Sequence, residues 1–239
     1  MAALEDSSLG RLIGALIAPG KTFQSIAARP TVLVPLLLFL VTIGGVGFLT
    51  AQRTDYRDVL TQTMRERGTE VSPEQLERQI EITQKVAAPS AAVLAPVVVT
   101  LLVLFAAFLY WLAFKLLGSD FSYKTSLSVA LYSGAPSLVS ALLTIPVLLS
   151  YDSIGFKDMR RTGGNFLQSS LAFLAPEGAK AWQVALFASA DFFVLWGLVL
   201  SVIGFRAASR LPTRTVAVTV VVIWVLFVAA RVGWAALFG

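Results

Sequence analysis

The chain has 239 residues, 56% of them hydrophobic and 14% charged, with a formal net charge of +5 and a mean hydropathy of +0.77. Soluble domains carry about 45–50% apolar and about 25% charged residues, so this composition excludes an ordinary soluble fold and excludes disorder. The absence of histidine and cysteine removes thiol and imidazole catalysis, disulfides and the usual zinc, haem and iron–sulfur sites, and no cofactor is expected.

Residues 1–30 read as an interfacial segment ahead of the first span. Within Ser7–Ala18, Leu9, Leu12, Ile13, Leu16 and Ile17 share one side, which predicts a helix lying on the bilayer and anchored by Arg11 and Lys21. A signal peptide does not fit, because Glu5 and Asp6 stand where cations belong and Pro19-Gly20 replaces a cleavage site. Gly20-Lys21-Thr22 is not read as a phosphate-binding loop: the position five residues earlier is Ala15, and no strand precedes it.

The first span is predicted at about 31–51, with Gly44, Gly45 and Gly47 as close-approach surfaces. The polar loop 53–90 holds six cations and seven acids and reads as a hairpin of two helices, the second opened by Ser72-Pro73-Glu74-Gln75 in the manner of a capping box. It is expected to lie on the membrane surface or on the bundle, with a ligand-binding cap as the alternative. The second span, about 91–114, closes on the interface anchors Tyr110, Trp111 and Lys115.

In the third span, about 125–149, Ser126, Ser133, Ser137, Ser140 and Thr144 fall at spacings of 7, 4, 3 and 4, which is one helical face. Pro136 interrupts that face and removes a backbone hydrogen bond to the Tyr132 carbonyl. These residues are candidates for close helix packing or for lining a permeation path. In the loop 151–181, the apolar run Phe166–Ala175 is too short to span, and an interfacial or re-entrant helix is expected.

The fourth and fifth spans are predicted at about 182–205 and 215–237. Val216–Val225 is rich in β-branched residues, but an isolated strand would leave backbone groups unpaired in lipid. Asp191 and Arg231 are the charges well inside these spans. A short connection makes the two helices antiparallel neighbours, and both charges then lie about 10–14 Å below one face. This predicts an Asp191–Arg231 pair that fixes helix docking, with a proton or substrate relay, or two unpaired residues, as alternatives.

Five spans put the termini on opposite sides. An inside N-terminus gives Arg11, Lys21, Arg29, Lys115, Lys124, Arg206, Arg210 and Arg214 to the cytoplasm, eight cations against ten in the two longer loops. Short loops dominate orientation, and 206–214 carries three arginines and no acid, so the N-terminus is expected inside and the 53–90 hairpin outside. The cations flank apolar blocks and no polar domain carries a groove, so nucleic acid is not an expected partner.

Three stretches resemble the prokaryotic branch of the YIP family of membrane proteins, named for interaction with Ypt/Rab GTPases. They are Ile17–Ile26 followed by Pro30, then Tyr123–Pro136, and finally Asp191–Trp196 followed by Gly204. The resemblance covers about Leu12 to Ala236. It implies one all-α membrane domain, a five-helix bundle with a cytoplasmic N-terminus in the bacterial inner membrane. Eukaryotic relatives act in trafficking and membrane shape, but the segment ahead of the first span lacks their Tyr-Gly-Pro motif, so a GTPase partner is not expected. The family supplies no catalytic residues.

Asp191 stands alone, without a paired intramembrane aspartate, and no Gly-x-Ser-x-Gly elbow occurs, which argues against an enzyme. Two readings remain. One is a protein that organises the bilayer, itself or partner membrane proteins. The other is a transporter or channel for an ion, small molecule or lipid, using the third-span serine face with Asp191 and Arg231.

Overall fold

Ser7 caps the first helix with its hydroxyl, accepting from the Gly10 amide at 2.9 Å, in the computed structural model, which describes residues 7–66, 68, 72–176 and 178–238. Glu5 and Asp6 lie outside the described residues. Helix α1 (Ser8–Ile17) has two apolar aspects rather than one. Leu9, Ile13 and Ile17 point outward, whereas Leu12 and Ala15 are buried. Arg11 corrects its expected role as an interface anchor: it is 4% exposed, and Nη1 donates to the Arg29 carbonyl at 2.8 Å. Helix α2 (Pro19–Ala28) follows at once and buries Phe23 and Ile26 completely.

Helix α3 (Leu33–Arg53) packs along α5 (Pro73–Leu116), and α4 (Tyr56–Glu66) lies between them in the chain. Gly44 and Gly47 permit this approach. A Cβ at Gly44 would fall 2.9 Å from the Ala92 carbonyl oxygen, and one at Gly47 would fall 3.1 Å from that of Ala91. Gly45 faces open space and plays no part.

The second hairpin helix and the second span are one 44-residue helix, about 66 Å long against a hydrocarbon core of about 30 Å. Pro89 and Pro96 do not break it. Pro96 is buried with its ring against the Gly44 notch, and neighbouring helices make proline tolerable inside a span.

The capping box at Ser72 is formed: Ser72 Oγ accepts from the Gln75 amide at 3.3 Å, and Gln75 Oε1 accepts from the Ser72 amide at 3.4 Å. A bidentate Arg57–Glu77 contact joins α4 to α5 and holds the Glu77 carboxyl below its usual range. Ser72→Ala should therefore cost about 0.5–2 kcal/mol of local helix stability and Ser72→Gly only a few tenths, read as faster hydrogen exchange across 76–86.

The third span bends as its prolines require. Helix α6 (Tyr123–Ser133) ends at Gly134, and α7 (Ala135–Leu149) restarts with Pro136 in its first turn. After α8 (Phe156–Thr162) the run Phe166–Ala175 is irregular, with a 3-10 turn at Leu171–Leu174 in place of the expected helix. The fourth apolar block is likewise two helices, α9 (Ala181–Ser189) and α10 (Phe192–Ser209), and α11 (Thr213–Phe238) closes the chain. Among the described residues, five helical segments are long and apolar enough to cross a membrane: α3, α5, the bent α6–α7, α10 and α11. Among the described residues there is no strand, only the isolated bridges Thr54–Ile154 and Ser170–Asp191.

The main core lies where α2, α5, α6, α10 and α11 converge. Phe205 is its hub, stacked 5.1 Å from Phe114, 4.5 Å from Tyr110 and 6.3 Å from Phe121. The chain's alternation through the spans sets α2, the 117–122 connection and the 210–212 turn at this end.

At the opposite end the two polar stretches fold together. Asp55 and Ile154 exchange backbone bonds with the 53–154 neighbourhood, Asp55 N to Ile154 O at 2.9 Å and Ile154 N to Arg53 O at 2.7 Å. Asp58 Oδ2 accepts from the Phe156 amide at 2.8 Å, and Arg160 pairs with Glu66. The hairpin and the loop 151–181 thus make one cap over the bundle.

Candidate functional site

Asp191 opens α10. Its backbone is extended, and its Oδ1 accepts from the Phe193 and Val194 amides at 2.9 and 3.1 Å, so it is the N-cap of that helix. An acid suits this place because the first-turn amides have no partners within the helix and the helix dipole favours negative charge there. Oδ2 accepts from Asn165 Nδ2 at 2.8 Å and from Ser169 Oγ. Backbone bonds close the same junction: Leu171 N to Ala190 O at 3.1 Å and Phe192 N to Ser169 O at 2.9 Å. Asp191 is buried at 7% exposure and ties the irregular cap loop to the start of a membrane span.

This geometry corrects the expected ion pair. Both carboxylate oxygens are occupied by four donors, and no Asp191–Arg231 salt bridge forms among the described residues. Arg231 is an exposed residue on the last part of α11. The two residues do share a cavity of about 370 Å³ beneath the cap, where Ser137, Ser140, Thr144 and Asn165 also line the wall. A larger cavity of about 650 Å³, between α4, α8, α9 and the end of α11, shares Gly163, Ala188 and Arg231 with it.

The third-span face therefore divides at the Gly134 bend. Ser137, Ser140 and Thr144, on α7, reach the cavity. The rest pack instead. Ser126 Oγ donates to the Ala107 carbonyl at 2.7 Å, Tyr132 and Thr31 hydroxyls meet at 2.7 Å, and Pro136 is buried. Ser133 Oγ is buried without a hydrogen-bond partner. Gly197 lets α10 approach here, since a Cβ there would sit 3.1 Å from the Ser133 carbonyl oxygen.

Sequence reasoning missed Asn165 and Ser169, which hold the acid from an irregular loop with no periodicity to reveal them. A signal for Asp191 did exist: an Asp directly before an apolar run is a helix-start signature. Chemically, the cavity offers hydroxyls, an amide and one guanidinium around an acid already engaged in the fold.

Comparison with known proteins agrees with this architecture. The model of the Yip1 domain family matches residues 13–233. The chain is 26% identical over 220 residues to the membrane protein YknW of Bacillus subtilis strain 168, covering 91% of this chain and 86% of that one. No solved structure matches the chain.

Proposed function

The chain belongs to the Yip1 domain family, and we propose that it is a non-enzymatic protein of the bacterial cytoplasmic membrane, N-terminus inside, that organises the bilayer, itself or partner membrane proteins. The observation that carries this reading is the engagement of Asp191. The acid expected to pair with Arg231, with a relay as the alternative, instead accepts four hydrogen bonds that fasten the cap to the bundle. A clamped cap gives the molecule a fixed polar surface outside the membrane, beside spans whose apolar side chains face outward for lipid or neighbouring helices.

The hydroxyl-lined cavity with Arg231 supports a second reading, passage of a polar solute. Flux of ions, protons and labelled lipids in liposomes distinguishes the two. The organising role predicts no flux above empty vesicles from either wild type or Asp191→Asn. Flux in the wild type that Asp191→Asn abolishes would overturn it.

Orientation has its own test, since the chain has no native cysteine. Single cysteines at the exposed positions Glu74 and Lys157 should react with an impermeant thiol reagent in intact cells. Cysteines at the exposed positions Asp120 and Thr213 should react only after permeabilisation. The reverse pattern would invert the topology.

A further inference from the structure

A third cavity, of about 700 Å³, lies at the other end of α10 from Asp191, about 27 Å away along that 18-residue helix. Arg206 and Arg210 line it, one turn apart at the end of α10, with Gly20 and Gln24 of α2 opposite and Thr213 at the start of α11. Neither guanidinium has an ion-pair or hydrogen-bond partner among the described residues. The elements that form the walls, α2, the end of α10, the 210–212 turn and the start of α11, carry Lys21, Arg206, Arg210 and Arg214 and no carboxylate. Asp120, in the 117–122 connection at the same end, has a fully exposed side chain 3.9 Å from Lys115. The charged side chains that line the cavity are thus both cationic.

An apolar track leads to it. Leu195, Val199 and Val202 precede Arg206 and Arg210 on one stripe of α10, and Leu195 and Val199 are 45% and 58% exposed on the span. Val202, Ile203 and Leu211 continue that surface into the cavity wall. We propose that this cavity binds the phosphate headgroup of an anionic phospholipid, with Arg206 and Arg210 on the phosphate and an acyl chain lying along Leu195 and Val199. Arginine suits the role because its planar fork donates two hydrogen bonds to one phosphate. Gly20 and Thr213, in the first turns of α2 and α11, line the same cavity, and the positive ends of the two helix dipoles favour an anion there. A soluble phosphate would satisfy the arginines but would have no use for the apolar track.

Arg210 also supplies a clean variant. It sits in the left-handed region with φ 59°, where glycine is at ease and arginine is not. Arg210→Gly removes the guanidinium while relaxing the backbone, so it should keep or raise the unfolding midpoint.

The test uses the full chain purified in neutral detergent and titrated with phosphatidylglycerol, phosphatidylcholine or inorganic phosphate. Retained lipid is counted by native mass spectrometry, and stability is followed by thermal unfolding. Wild type should retain phosphatidylglycerol in preference to phosphatidylcholine. Arg206→Gln and Arg210→Gly should each weaken that retention by about tenfold, and Lys157→Gln, in the cap, should leave it unchanged. Equal retention of the two lipids, or retention indifferent to both arginine variants, would overturn the proposal. Stabilisation by inorganic phosphate without selective lipid retention would assign the cavity to a soluble anion and overturn it equally.

Discussion

Gly204→Leu should destabilise the bundle by about 3 kcal/mol, the upper end of the usual cost of overpacking a core. A Cβ at this position would lie 2.6 Å from Val129 Cγ1 and 2.7 Å from Phe23 Cδ1, and both of those side chains are completely buried. Neither has room to retreat, because Phe23 belongs to the same cluster as Phe205 and Phe114. The glycine is what allows α2 to seat against α6 and α10. Gly45→Leu is the matched control, since nothing lies within 4 Å of a Cβ there, and it should change stability by less than about 0.5 kcal/mol. Denaturant unfolding in detergent micelles reads both. Equal losses from the two variants would mean that α2 is not docked in this core.

Asp191→Ala should cost about 3 kcal/mol. Loss of the helix cap contributes about 0.5–2 kcal/mol. Leaving half-buried donors of Asn165 and Ser169 without the carboxylate acceptor contributes about 1–2 kcal/mol more. Asp191→Asn should cost less than half as much, because an asparagine oxygen still caps the first-turn amides. The alanine variant should also loosen the cap before the bundle. Hydrogen exchange in 165–171 should accelerate well ahead of exchange in the core helices around Phe205.

The parts of this fold that local chemistry determines were legible in the chain. Ser72 and Gln75 sit at capping-box spacing, and the box is formed. Pro136 marks the bend between α6 and α7 because a proline cannot accept the preceding turn's geometry unchanged. Gly44 and Gly47 announced close helix approach, which α5 makes. What composition could not settle was tertiary competition. Asp191 reads as a charge inside a span because the apolar block runs on either side of it. In the structure the block divides at Ala190–Asp191, and the acid serves the helix that begins there. Pro89 and Pro96 lie inside α5 without ending it, and Pro96 packs against the Gly44 notch. Ser126 and Ser133 share a helical face with Ser137 on a straight helix, and the bend at Gly134 sends the two halves to different neighbours.

Asp191 clamps the cap to the bundle, and a pair of double-mutant cycles on unfolding measures that directly. Asp191→Ala combined with Asn165→Ala should lose less than the sum of the single losses, with a coupling of about 1 kcal/mol or more, because each removes the same hydrogen bond. Asp191→Ala combined with Arg231→Gln should be additive to within about 0.5 kcal/mol. Strong coupling of Asp191 to Arg231 together with additivity toward Asn165 would contradict the clamp and restore an intramembrane ion pair.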